Sequence, residues 1–311
     1  MNSKVFVIIV SYNAMKWVDR CFGSLRKSRV TVFPVLIDNC SKDETVEYVR
    51  SNFPEVHLIV NKENRGFGQA NNQGIEWAYR QGATHFFLLN QDAWIRPDTV
   101  ERLIDVQDQN NIALVSPIHL NGTGDKIDYG FFSLTVLVEK NIDYVSDLSQ
   151  NNIKPFYNVS KINAAAWMLS RRTIETVGGF DPIFFIYGED GNYCQRLKFH
   201  GGQIAFVPNS FIHHDRKLHG NSKEYNKREV LMQLLYMYAD VNRSCFDNIK
   251  GQMVLHLWLL KRAFCSLIKF KFINFWIIVQ GYYLFFVKIP QIGYSKSTNK
   301  KVNPSWLNIR K

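Results

Sequence analysis

Val5 to Val10 reads VFVIIV, an unbroken apolar and largely β-branched run of strand length, and polar Ser11, Tyr12 and Asn13 follow at once. A run without polar alternation fits a strand buried on both faces, as in a parallel sheet covered by helices. The pattern recurs. Val32 to Ile37 ends at Asp38 and Asn39, Val56 to Val60 at Asn61, and His85 to Leu89 at Asn90, Gln91 and Asp92. Helical stretches separate these runs: one to about Ser51 behind the capping-box sequence Ser41-Lys42-Asp43-Glu44, then Gln69 to Arg80, and Asp98 to Gln107 before a fifth run at Ile112 to Val115. Strands alternating with helices to about residue 116 predict an α/β fold with a mostly parallel sheet and right-handed crossovers. Strand ends then share one edge, where ligands bind. A single polar cluster is ordinarily a turn; four on one edge mark a candidate site.

After Asn121 to Gly124 the rhythm breaks. A helix is expected at Ile162 to Leu169, a turn at Gly178 to Pro182, a helix at Glu189 to His200, a strand at Gln203 to Val207 and a helix at Ser222 to Val241. The 311 residues, 46% of them hydrophobic, can fill a proper core. Five scattered cysteines without C-x-x-C spacing suggest neither a disulfide framework nor a zinc ribbon, and fit a reducing compartment. The N-terminal apolar run is too short for a secretory signal, so a cytoplasmic chain is expected.

The net charge of +11 is unevenly placed. No carboxylate follows Asp247, while eleven Lys and Arg do; the remaining 27 Lys and Arg balance 27 Asp and Glu. A neutral body without a recognition module argues against nucleic-acid binding.

Several residues could carry chemistry. Gly66-Phe67-Gly68 has the first two glycines of a dinucleotide fingerprint, but Asn71 stands at the third and the motif follows the third strand, which excludes that reading. Asn64, Arg65 and Gly66 would instead bring amides and a cation to a helix start that favours an anion; a plain glycine turn accounts for them equally well. Asp92 at a strand end can hold Mg²⁺ or Mn²⁺ that also grips phosphates, or merely cap a helix. Glu189 and Asp190 at a helix start are stabilised by its dipole, and an ionised carboxylate beside an apolar wall can act as a general base. Adjacent residues cannot flank a bond from two sides as a glycosidase pair does. His213-His214 can include a metal or phosphate ligand.

The order VIIVSYN, VLIDNCSKDET, NRGFGQANNQGI, LLNQDAW, GGFDPIFFIYGEDGNYCQRLKFHGG and FVPNSFIHH resembles the inverting family 2 glycosyltransferases of GT-A fold, nearest the rhamnosyltransferase-like bacterial members, over about Val5 to His214. The resemblance implies a nucleotide-sugar donor, a divalent cofactor (Mn²⁺ or Mg²⁺) and transfer to a glycan hydroxyl in surface polysaccharide synthesis. It places Tyr12 and Asp38 at the donor base, Ser11 in the same pocket and Arg65 near base or phosphates. Asn90 and Asp92 occupy the ends of the D-x-D motif, with Asp92 on the metal. Asp190 becomes the base, Glu189 its neighbour touching donor or acceptor, and His213 the ligand to metal or diphosphate. Asn13, Asn64, Gly66 and Gln91 complete the donor-side candidates. Asn90 and Asn192 stand where acidic residues are common, which keeps open a second reading, a catalytically silent nucleotide-sugar-binding scaffold at a membrane.

Residues 1–245 are expected to form the catalytic domain, 1–116 its nucleotide half and 117–245 its acceptor half, with 246–311 a basic aromatic helical tail. Its most apolar part, Phe272 to Val287, is shorter than the roughly 20 residues of a membrane span. Lysines interleaved with Trp258, Trp276, Tyr282 and Tyr283 suit an element lying on an anionic membrane surface; the alternative is a helical pair packed on the body or on a second subunit, a homodimer. The first alternative places the protein at the inner face of the cell membrane, beside a lipid-linked acceptor.

Overall fold

The computed structural model describes residues 3–216, 227–243, 249–303 and 305–309. β1 (Val5–Ser11) lies between β2 (Val32–Asp38) and β4 (His85–Asn90), parallel to both, and β3 (His57–Val60) extends the parallel set beyond β2. Successive side chains of β1 enter opposite layers, because a strand alternates faces. Val5, Val7 and Ile9 meet α1 (Val18–Arg26) and α2 (Thr45–Asn52), while Phe6 and Ile8 meet α3 (Phe67–Arg80). Burial on both sides explains the unbroken apolar run. Gly74 of α3 faces Ile8 and Ile37, and a Cβ there would come within 2.5 Å of the Ile8 side chain, so the helix sits too close for any larger residue.

The chain continues through β5 (Ala93–Ile95), α4 (Thr99–Asn110), β6 (Leu114–Asn121), α5 (Tyr129–Phe132), a π-helical segment (Ser133–Val138) and α6 (Ile142–Ser149). It then forms β7 (Tyr157–Asn158), β8 (Ala166–Ser170), α7 (Arg171–Val177), α8 (Glu189–Phe199) and β9 (Ile204–His214). One nine-stranded sheet results, in the order β3-β2-β1-β4-β8-β6-β9-β5, with β7 beside β9. Only β5, β7 and β8 run against the common direction. The expected α/β fold is therefore observed, helices covering a mostly parallel sheet.

Two local expectations are corrected. Ile162 to Leu169 is not a helix: Ala166–Ser170 is a strand inserted antiparallel between β4 and β6. A short run apolar on both sides has no periodicity to separate the two states. The capping box at Ser41 to Glu44 does not form either, since α2 starts without a side-chain cap and the Ser41 hydroxyl turns to Asp38.

The tail is helical and docked. α9 (Lys227–Tyr238) is followed by α10 (Ile249–Ile268) and α11 (Phe272–Asn299), an adjacent pair joined by a short turn. The expected helix start at Ser222 and the boundary between 245 and 246 lie outside the described residues. Ile183 and Phe184, just before α8, share a core with Val230 and Leu234 of α9, Leu259 of α10, and Ile278 and Phe285 of α11. Beyond α11, Leu307 and Ile309 enter the main core beside α3, so the packed-pair alternative describes the inner side of the tail.

Candidate active site

The carboxyl ends of β1, β2 and β4 build the first wall. Asp38 is 1% exposed, beneath Ser11 and Ser41: its Oδ1 accepts from both hydroxyls and its Oδ2 from the Ser41 amide at 2.9 Å. Gln91 clamps the neighbouring loop, accepting from the Tyr12 amide at 2.7 Å and donating to the Tyr12 carbonyl at 3.4 Å. The Tyr12 side chain is left exposed. Asn13 adopts φ 52°, a left-handed conformation that asparagine tolerates, and its Oδ1 accepts from the Lys42 amide at 2.8 Å. Gln91 and Asn13 thus shape the edge by holding backbone.

A buried hub escaped sequence reasoning. Asn39 donates to Asn64 Oδ1 (3.0 Å) and to the Gly66 carbonyl (3.2 Å), and accepts from Asn61 (3.2 Å) and the Arg65 amide (3.0 Å). Asn64 Oδ1 also takes the Gly66 amide at 2.9 Å. The amides expected to face an anion at Arg65 and Gly66 are therefore already satisfied by asparagine side chains. Gly66, at φ 80°, is needed for another reason: any Cβ there would collide with the Phe185 carbonyl. The Arg65 side chain remains exposed, with no hydrogen-bond or ion-pair partner among the described residues.

The second wall holds Asp92. β5 pairs antiparallel with β9, setting Ala93 opposite His214 and Trp94 opposite His213. Alternation along β9 separates the two imidazoles. His213 stacks on Trp94, ring centroids 5.4 Å apart, and burial followed by the charge of Arg96 lowers its pKa. His214 is buried on the opposite face with Nε2 3.4 Å from Asp92 Oδ1. The histidine beside Asp92 is thus His214, whereas His213, expected at the metal or diphosphate, lies on the other face against Trp94. The Asp215 amide donates to the Asp92 carbonyl at 2.8 Å, and its carboxylate, bonded to Lys16 and Trp17, has a lowered pKa.

A carboxylate and an imidazole nitrogen fit a divalent ion that takes its remaining ligands from phosphates and water. No cluster of three or more His, Cys, Asp or Glu suited to a metal occurs among the described residues. Asn90 Oδ1, two residues before Asp92, is buried without a partner among the described residues and adds an acceptor to this edge.

The third wall is the start of α8. Gly188 takes a left-handed turn at φ 86°, and the Glu189 side chain then packs on Gly68 at the start of α3. The two motifs, about 120 residues apart in the chain, meet because Gly68 has no room for a Cβ against Phe180. Burial, with the charge of Asp190, raises the Glu189 pKa to about 8, so this side chain is mostly protonated at neutral pH. Asp190 is only half-buried; its Oδ1 accepts from the Gly191 amide at 2.6 Å. Further buried atoms on this side without a partner among the described residues are Asn163 Oδ1, Trp167 Nε1, Glu189 Oε2 and both amide atoms of Asn192. Trp167 and Asn163 lay hidden in the stretch read as a helix.

Residues 6–176 match the family described as Glycosyl transferase family 2. The chain is 25% identical over 209 residues to the dTDP-rhamnosyl transferase RfbF of Shigella flexneri, covering 67% of this chain and 68% of that one. It is 24% identical to the N-acetylglucosaminyl-diphospho-decaprenol L-rhamnosyltransferase of Mycobacterium tuberculosis strains, over 72% of this chain and 80% of the relative. Among solved structures, the mannosyltransferase PcManGT of Pyrobaculum calidifontis, in complex with GDP-Man and Mn²⁺, aligns with a TM-score of 0.56 at 15% identity, over 96% of this chain and 79% of that one.

Proposed function

The chain belongs to glycosyl transferase family 2, and on that premise we propose that it moves a sugar from a dTDP- or UDP-sugar, dTDP-rhamnose foremost, to a glycan hydroxyl with inversion. The observation that carries the reading is the meeting of Asp92 and His214 at the strand edge that also presents Ser11, Tyr12 and the start of α8. Tyr12 covers the donor base while Asp38 holds Ser11 and Ser41 beneath it. Asp92 and His214 would hold a divalent ion, which would supply positive charge for the departing diphosphate. Arg65 adds a cation that no carboxylate among the described residues neutralises. Glu189, protonated, and the amide oxygens of Asn90 and Asn163, unpaired among the described residues, offer hydrogen bonds to sugar hydroxyls. Asp190, only half-buried, takes the proton from the acceptor hydroxyl as it attacks opposite the leaving group, and attack from that face inverts the anomeric centre. The acceptor in this reading is a lipid-linked glycan at the inner face of the membrane, as the name of the mycobacterial relative suggests.

Calorimetric titration with UDP, dTDP and GDP, with and without Mn²⁺, tests this. One diphosphate should bind in a metal-dependent way, and Asp92→Ala should abolish that binding. Folded protein that binds none of them refutes the reading, and binding without transfer to any acceptor moves it to the silent scaffold.

A further inference from the structure

The inner side of the α10–α11 pair is committed to the body, but its outer side is not. Leu257, Leu260 and Phe264 of α10 and Ile273, Trp276 and Tyr283 of α11 are exposed at spacings that place them on outward faces, and Phe270 and Ile273 near the turn are 79% and 77% exposed. A soluble surface rarely carries so continuous an apolar face without a partner. Phe270 holds φ 52°, where glycine would sit without strain, so an aromatic is kept at the tip against the backbone's preference. Lys269 and Lys271 flank it, Lys250 and Lys261 line α10, and no carboxylate occurs after Asp247.

We infer that this face is a docking surface for an anionic bilayer, the Lys269-Phe270-Lys271 tip and the outward apolar side chains entering the lipid from one side while the catalytic body stays in water. A second copy of the chain is the poorer occupant, because two such faces would oppose cation to cation with no acid to compensate. Crossing the bilayer is also disfavoured. Phe272–Asn299 is long and apolar enough to span, yet Ile278 and Phe285 pack on α9, Gly281 abuts Val230, and Ser295 and Asn299 bond to Asp181. A helix fastened along one side can present only the other to lipid. Exposed Trp276 and Tyr283 suit the headgroup boundary. The inference deepens the proposed function, since it supplies the surface on which a lipid-linked acceptor would be met, but its evidence is independent of that function.

Vesicle cosedimentation of the full chain tests it without nucleotide or acceptor. Vesicles containing phosphatidylglycerol should capture the wild type, pure phosphatidylcholine at least tenfold less, and 1 M NaCl should weaken capture. Phe270→Glu/Ile273→Glu should lose capture at least tenfold while retaining its circular dichroism and its metal-dependent nucleotide binding. Wild type that stays in the supernatant with anionic vesicles overturns the inference, as does a dimer in sedimentation velocity that these substitutions dissociate. Absence of nucleotide binding with vesicle capture intact would refute the transferase reading and leave this one standing.

Discussion

His213 and His214 are adjacent in sequence and belong to different environments, one against Trp94 and the other against Asp92. The pair was visible in the sequence; which member faces the carboxylate depended on a strand running through to His214, beyond the apolar run that ends at Val207. His214→Ala should therefore weaken Mn²⁺-dependent nucleotide binding by about tenfold or more, while His213→Ala should leave it within about twofold, both read by calorimetry. Asp190 and Glu189 differ in the same way. Asp190→Asn should lower kcat by about 10²- to 10⁴-fold with donor binding retained, the range for loss of a general base. Glu189 has a pKa of about 8 when folded against a reference of 4.5, so the folded state holds its proton more tightly than the unfolded chain does. The stability from that proton is complete below about pH 4 and is lost as pH rises towards 8. Chemical denaturation between pH 5 and 8.5 should show this declining contribution, and Glu189→Gln, neutral throughout, should flatten it.

At the scale of elements, what could be read was whatever is encoded in one segment. β1, β2 and β4 were evident because both faces are buried and the runs are uniformly apolar; β8 carries the same kind of residues, but its neighbours in the sheet, β4 and β6, are distant in sequence, and only that pairing makes it a strand. The Asn39 hub was hidden for a related reason: an asparagine beside Asp38 says turn, and only the approach of Asn61, Asn64 and Gly66 makes it an organising group. Glycines show the same dependence. Gly281 lets α11 approach α9 so closely that a Cβ would lie 2.6 Å from Val230. Gly281→Leu should destabilise the protein by about 1–3 kcal/mol, the usual cost of overpacking, and thermal unfolding should show it as a lowered Tm.

For the whole molecule, the tail is best understood through Asp181, whose carboxylate accepts from Ser295 and Asn299 of α11 and from the Ile183 amide at 3.0 Å. The aspartate belongs to the GGFDP turn that leads into α8, so one buried side chain joins the α10–α11 pair to the segment that carries Asp190. Sequence showed a charge-segregated tail after Asp247 and suggested a separable piece; it could not show that Leu307 and Ile309 return to the main core, nor that Asn72 donates to the Trp306 carbonyl at 3.4 Å. Cutting the chain at residue 245 would expose Ile183, Phe184 and Val230 together. We therefore expect the fragment 1–245 to be insoluble or to lack a cooperative unfolding transition, whereas the full chain unfolds as one unit. Asp181→Ala tests the joint more gently. It strips three donors of their acceptor, two of them side-chain groups in a buried setting, and should cost about 2–4 kcal/mol, since unmet buried polar groups carry most of the penalty. If Asp181→Ala unfolds in two steps, the tail losing helix first, the joint is local; a single transition at a lower temperature would show that the pair and the nine-stranded sheet stand or fall together.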